Sequence, residues 1–561
     1  MPLALPANKH TQDYQMPNYL KYLIIAVVAS LLFFPFLGNV HLFDWDEINF
    51  AECAREMIVT KDYLRAQIDF MPFWEKPPVF IWMQVLAMKV FGIGDYAARF
   101  PNAFMGVVTL LTLFYVGKKV VNERMATWWV LLYAATWLPH FYFKSGIIDP
   151  TFNFFIFLAF FQLHLLKFKA EKAKHAVLAG LFLGMAVLTK GPAAIIVALL
   201  SFAVYLLLGR SKGVFAIKHL LLIALFASMP FLLWIGVATA RYGITYGSWF
   251  LQEFITYQAR LFSTEDADHG GPFVYHFIVL LIGCFPASAF LFQYSRKPVA
   301  DSEHNKDFTR LMWIMFWVVL ILFSIVKTKI VHYSSLCYFP LTYLAALQLY
   351  RLTSEGARVK KIVKIVLGVT GTLLAILITA LPIAGINKAK IMPLIDDPFA
   401  VGNLGANVPW SYAECAWGII YIVAIGVAIF LMNKDFRKGI ITLCVVQLVI
   451  IQVTVLHFTP KVEAYSQRAA IDFFKSFEGK DVYIRTLGYK SYAYLFYAKK
   501  QPFANAQYYT KGGVNEDWLM NGPVDKPTYF ITKVQDAKQY LALPQLEKVS
   551  EQNGFVFFKR R

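Results

Sequence analysis

The chain has 561 residues, of which 58% are hydrophobic, 17% aromatic and only 16% charged; 54 Lys and Arg against 35 Asp and Glu give a net charge of +19. That is too apolar for a soluble globular protein, so the bilayer is the expected solvent, and the basic surplus reads as loop charge that sets membrane orientation, not as a nucleic-acid surface. The five cysteines (Cys53, Cys284, Cys337, Cys415, Cys444) are far apart, mostly in apolar runs and form no CxxC pair, which argues against a disulfide framework or a thiolate metal site.

In chain order, runs long enough to cross roughly 30 Å of hydrocarbon fall near 20–40, 100–117, 126–143, 150–166, 175–189, 192–209, 218–240, 273–295, 311–326, 331–350, 362–385, 412–432 and 439–457. The first is read as a retained span, since no small-residue cleavage site and soluble domain follow it. The stretch 79–92 is about fourteen residues long, which suits an interfacial or re-entrant helix better than a span. With that helix not crossing and the N-terminus inside, every inside loop is basic: Lys118/Lys119/Arg124, Lys167/Lys169/Lys172/Lys174, Arg210/Lys212/Lys218, Arg296/Lys297/Lys306, Arg351/Arg358/Lys360/Lys361 and Lys434/Arg437/Lys438. The outward side then holds the loops 41–99, 241–272 and 386–411 and everything after about 458. The expected architecture is a mainly α, polytopic membrane bundle of about thirteen spans with interfacial helices. Residues 1–457 form the transmembrane catalytic domain, and 458–561 a small soluble α/β domain on the outer face, with strand-length runs at 482–485, 492–497, 528–532 and 555–558.

The first outward loop is acidic within a basic protein. Between His41 and Pro78 stand Asp44, Asp46, Glu47, Glu52, Glu56, Asp62, Asp69 and Glu75 against Arg55, Lys61, Arg65 and Lys76. Helical periodicity begins at Asp46-Glu47; the plain structural reading is a capping box of Asp44 and Glu47 at spacing three, with acids favouring a helix start. Trp74-Glu75-Lys76-Pro77-Pro78 opens the interfacial helix, where proline fits the first turn and Lys76 sits at the depth of a lipid phosphate. Asp149, Lys190, Arg260, His269, Lys327, Lys329, His332 and Tyr333 punctuate apolar surroundings on the same side. Alone, Asp149 reads as a helix cap, Lys327 as a snorkelling anchor and His269 as a loop histidine. Ionisable groups at membrane depth are costly, and acids and bases from six segments on one face mark a site.

At these residues the chain resembles the lipid A aminoarabinose transferases and, more broadly, the protein O-mannosyltransferases of the GT-C superfamily. The likeness is carried by Asp-Glu with Ala51-Glu52 and Arg55-Glu56-Met57, Glu-Lys-Pro-Pro, Arg99-Phe100-Pro101, Leu188-Thr189-Lys190-Gly191-Pro192, Arg260 with His269 and Pro272, and Phe323-Ser324 with Lys327, Lys329, Tyr333 and Pro340. It runs in order over about residues 20–345; the last 200 residues match in layout only. The resemblance implies an integral-membrane glycosyltransferase of the cytoplasmic (inner) membrane with an outward, periplasmic catalytic face. It implies a polyprenyl (undecaprenyl) phosphate sugar donor and an acceptor such as lipid A, a protein or a glycan.

By the same resemblance Asp46 is the catalytic carboxylate, with Glu47 and Asp149 in the catalytic pocket. Lys76, Arg260, Lys327, Lys329 and Tyr333 serve the donor phosphate, and Glu75 and His269 share a divalent metal, zinc being the candidate; no nucleotide cofactor is implied. The chain departs from the aminoarabinose enzymes at Asn49, where Arg is common, at Phe50, where Tyr is usual, and at Gly270, where an Arg can stand, which leaves donor and acceptor identity open. Glycosyl transfer from a phosphate passes through an oxocarbenium-like state. Lys76, Arg260 and Lys329 are suited to neutralise the leaving phosphate and Asp46 to act as general base; a single displacement inverts the anomeric centre. The competing readings are a transporter or flippase of lipid-linked sugar, which would place ionisable groups near the bilayer midplane and often in repeated halves, and an O-antigen ligase or polymerase.

Overall fold

The structure is a computed structural model that describes residues 16–209, 216–263, 270–293, 302–354, 357–510 and 513–561. Among them, eight helices are long and apolar enough to cross a membrane: Asp95–Val120, Asp149–Phe168, Lys172–Lys190, Ile217–Tyr242, Glu303–Ile325, Lys361–Ile386, Tyr412–Lys434 and Phe436–Glu463. A ninth span results if the helices Tyr275–Gly283 and Ala287–Gln293, bent by 105° at the intervening Cys284-Phe285-Pro286, are counted as one. The remaining expected runs are shorter helices. Asn18–Phe33 has 16 residues, and the run at 126–143 is split into Glu123–Ala134 and Trp137–Tyr142. The helix at 79–92 spans Val79–Phe91, too short to cross, in keeping with the reading of a non-crossing segment.

The long helices hide one face against each other and turn the rest outward. Ile217–Tyr242 has only 17% of its most apolar stretch buried and exposes Leu221, Leu225, Leu232 and Leu233; such a surface is stable facing acyl chains. Close packing comes from small residues. Gly180 and Gly184, one turn apart on Lys172–Lys190, let that helix approach Ile217–Tyr242 so closely that a Cβ at Gly184 would stand 2.8 Å from the Ala227 carbonyl oxygen, a small-residue contact typical of membrane helix pairs.

The 41–99 segment folds back on the bundle as the helix Asp46–Thr60, a two-stranded ribbon (Gln67–Ile68 with Met71–Pro72) and the helix Val79–Phe91. Every residue from Glu47 to Met57 is buried, because this helix is covered from both sides. Ile48, Ala51, Ala54 and Met57 share one apolar core with Ile81 and Val85 beneath and with Ala469, Phe474, Tyr494 and Leu495 of the C-terminal unit above. The expected capping box is absent. Trp45 occupies the cap position and offers no side-chain bond, and Glu47 turns away to Arg99.

The helix carrying the last expected span runs on to Glu463 through a π-helical turn at Thr454–Phe458. Beyond it stands a four-stranded sheet in the order Tyr483–Leu487, Thr528–Lys533, Phe555–Arg560, Leu546–Gln552, with the first pair parallel and the others antiparallel. Three of the four expected strand runs form strands. The fourth, 492–497, is instead a helix at Ala493–Tyr497, wholly buried against the Arg468–Lys475 helix and the Asp46–Thr60 helix. A short apolar run without alternation fits either element, and here burial on all sides decides for the helix.

Candidate active site

Asp46 is the first residue of its helix and lines a cavity of about 660 Å³ at the ends of several helices. Asp149 enters the same cavity from the first turn of Asp149–Phe168, a start fixed by Pro150. Lys190, the last residue of Lys172–Lys190 before Gly191 (φ +94°) breaks the helix, reaches across to place its Nζ 2.5 Å from Asp149 Oδ1. The same ammonium lies 5.6 Å from the Phe152 ring and 5.1 Å from the Tyr333 ring, so its charge is held by one carboxylate and two aromatic faces. His332 stands between the two acids, its Nε2 3.7 Å from Asp46 Oδ2 and 3.8 Å from Asp149 Oδ2. These separations are too long for hydrogen bonds but short enough for charge coupling. Among the described residues, Asp149 Oδ2 and Gln258 Nε2 are buried without a hydrogen-bond partner.

The opposite wall is cationic. Lys76, from the Glu-Lys-Pro-Pro turn, has its Nζ 4.9 Å from the Tyr257 ring, and the Arg260 guanidinium lies 5.5 Å from the same ring. Tyr257 and Arg260 are one helical turn apart on Ile244–Ser263, and Trp74 packs edge-on against Tyr257 at 5.6 Å. The aromatic face orients the Lys76 cation without neutralising it. Glu75, Asn49, Asn153 and Tyr333 complete the lining.

A second cavity, of about 360 Å³, abuts the first. Trp45, Asp46 and His332 line both, so the Asp46 carboxylate forms part of the partition between two chambers. The second chamber is mostly apolar, with Phe36, Val40, Phe141 and Tyr142, and carries Asp44, Glu47 and Lys144.

Three residues grouped with the site in the sequence serve other contacts. Glu47 accepts hydrogen bonds from Arg99 Nε and Nη2 (2.9 and 2.7 Å), the Phe43 N–H (2.8 Å) and the Gly146 N–H (2.5 Å). Burial alone would raise this carboxyl, but the Arg99 charge and these donors hold it below the usual range. Glu47 therefore braces the helix start next to Asp46 and borders only the second chamber. Lys329 folds back on its own helix and donates to the carbonyls of Phe323 (3.2 Å), Ser324 (2.7 Å) and Val326 (2.5 Å), closing the C-terminus of Glu303–Ile325. Lys327 is exposed, and neither lysine lines the cavity. His269 lies outside the described residues. Among the described residues no three His, Cys, Asp or Glu side chains converge on a metal position.

A family model described as dolichyl-phosphate-mannose-protein mannosyltransferase matches residues 75–234. The undecaprenyl phosphate-alpha-4-amino-4-deoxy-L-arabinose arabinosyl transferase of Edwardsiella ictaluri is 26% identical over 423 residues, 72% of this chain and 75% of that protein. The protein of the same name from Pectobacterium carotovorum is 28% identical over 335 residues, 58% of each chain. ArnT from Cupriavidus metallidurans, solved bound to undecaprenyl phosphate, has the same fold with a TM-score of 0.75 at 18% identity, covering 97% of this chain and 98% of that one. The chain is thus similar in sequence to these arabinosyl transferases and shares the fold of the Cupriavidus protein.

The larger cavity gathers Asp46, Glu75, Lys76, Asp149, Arg260 and Tyr333 as the sequence grouped them. Lys190 and His332 were visible only as polar interruptions of apolar runs; their pairing with Asp149 and placement between two acids needed the fold. Tyr257 carried a weak signal, one turn before Arg260. Lys490, which also lines the cavity, carried none.

Proposed function

We propose that the protein transfers a sugar from a polyprenyl-phosphate donor, of the undecaprenyl-phosphate type for which its relatives are named, to an acceptor at the outer face of the cytoplasmic membrane. Lipid A, a protein and a glycan are the acceptor classes that fit. The observation that carries this reading is the position of Asp46 on the partition between a cation-lined chamber and a largely apolar one. The donor phosphate binds on the Lys76 and Arg260 side, and the acceptor reaches Asp46 from the second chamber. Asp46 takes the acceptor hydroxyl proton as that oxygen attacks the anomeric carbon. The bond from anomeric carbon to phosphate oxygen breaks, and Lys76 and Arg260 neutralise the charge left on the phosphate. Attack from the face opposite the phosphate inverts the anomeric centre. Lys190 and Asp149 form a fixed dipole beside this path, and His332 couples the two acids electrostatically. The basic inside loops support the outward assignment of this face.

The ionisable groups of the site stand at helix ends, at Asp46, Asp149 and Lys190, and not in the middle of spans, which counts against a transporter. The test is sugar transfer by the purified full-length protein from an undecaprenyl-phosphate sugar, with wild type beside Asp46→Asn. Removal of the base is expected to lower kcat by about 100-fold or more, and an Asp46→Asn protein as active as wild type refutes the assignment.

A further inference from the structure

We propose that Lys490, carried by the C-terminal unit, is a second anion-binding residue of the active site that seats a phosphate-type anion of the donor or the acceptor beside Asp46. The inference deepens the transferase reading above and rests on it.

Lys490 lies in the loop that follows the strand Tyr483–Leu487, where Gly488 (φ +76°) turns the chain back toward the membrane domain. The loop packs against the residue that precedes Asp46: the Tyr492 ring lies on Trp45 with ring centroids 5.2 Å apart. The Lys490 Nζ then rests 4.6 Å from the Trp45 ring and 5.5 Å from the Tyr492 ring, and the side chain lines the large cavity together with Lys76 and Arg260.

The charges of this cavity separate into two kinds. Lys190 is neutralised by Asp149 at 2.5 Å. Lys76 and Lys490 have no carboxylate partner among the described residues; each is held over aromatic rings, Lys76 on Tyr257 and Lys490 on Trp45 and Tyr492. A cation fixed on a ring keeps its charge and its N–H donors for a third party. Two such lysines from different elements make two seats for anionic oxygen, whereas the departing polyprenyl phosphate fills one. The seat at Lys490 adjoins Trp45, which also lines the second chamber, so it serves either a further oxygen of the donor phosphate or an anionic group of the acceptor.

Steady-state transfer by the full-length wild type, Lys490→Ala and Lys490→Arg, with each substrate varied in turn, separates these sources. Loss of one charge-assisted contact is expected to raise one KM about tenfold with kcat within about threefold of wild type, and Lys490→Arg is expected to restore most of the loss. A raised donor KM assigns the seat to the donor phosphate, a raised acceptor KM assigns it to the acceptor, and a Lys490→Ala protein with both KM values unchanged overturns the proposal. If the wild type neither binds undecaprenyl phosphate nor transfers sugar, it is the transferase reading that fails. The Lys490 seat is then decided by acetic anhydride modification read by mass spectrometry. Slower acetylation of Lys490 in the presence of inorganic phosphate, relative to the exposed Lys480, supports the seat, and an unchanged ratio overturns it.

Discussion

Asp149 and Lys190 form an ion pair whose acid is almost fully buried and whose base reaches it from a different helix. Removing the cation leaves a carboxylate with neither water nor counter-charge, so Lys190→Met is expected to destabilise the protein by about 3 kcal/mol or more, read as a lower melting temperature in detergent. The double variant Asp149→Asn/Lys190→Met is expected to recover much of that stability while remaining poor in transfer; a double variant no more stable than Lys190→Met contradicts the pairing. These two residues, with Asp46, Lys76 and Arg260, were legible in the sequence because a charge beside apolar runs at membrane depth needs a reason. The same logic placed Lys329 at the donor site, whereas the fold turns its ammonium onto backbone carbonyls at the end of the preceding helix. A lysine that enters a cavity and one that folds back onto the last carbonyls of its own helix have the same spacing in the sequence, and only the backbone path distinguishes them. Lys490 was illegible for the opposite reason: in a polar, water-facing segment a lysine attracts no notice.

At the scale of elements, the long helices were legible from their apolar length and the short Val79–Phe91 helix from its lack of it, whereas the fate of the short runs was settled by what surrounds them. The run at 492–497 has the length of a strand, but it is wedged beside the Asp46–Thr60 helix, where no neighbouring strand is available to satisfy its backbone and a helical turn satisfies it internally. The pair Lys172–Lys190 and Ile217–Tyr242 makes a sharper demand, because its closest approach depends on the missing side chains of Gly180 and Gly184. Gly184→Leu is expected to force these helices apart at a cost of about 1–3 kcal/mol. Because Lys190 is the last residue of the first of these helices, the displacement is expected to lower transfer as well; thermal melting and transfer rate both at wild-type levels rule this packing out as a determinant.

Across the whole molecule, the 41–99 segment and the C-terminal unit are joined by buried charge as well as apolar core. Asp69 accepts from Tyr494 and Tyr508 and lies 3.8 Å from Arg485, while Arg55 donates to the Lys500 carbonyl at 2.6 Å. Burial raises the Asp69 carboxyl to about 6, against the pull of Arg485. Because the folded protein holds this proton more tightly than the unfolded chain does, the stabilisation is complete below the ordinary aspartate range and is lost as pH rises through about 6. The stability of wild type relative to Asp69→Asn is therefore expected to fall between pH 4 and pH 7 in parallel melting curves; a difference that does not change with pH contradicts the raised value.

The shared core has a consequence for how the enzyme is made. The helix that presents Asp46 is translated well before the side chains that cover it, from Ala469 to Phe557. During membrane insertion the ribosome thus completes almost the entire bundle while that helix waits half-covered, and a premature stop codon ahead of Ala469 would leave an inserted bundle whose Asp46 helix was never covered.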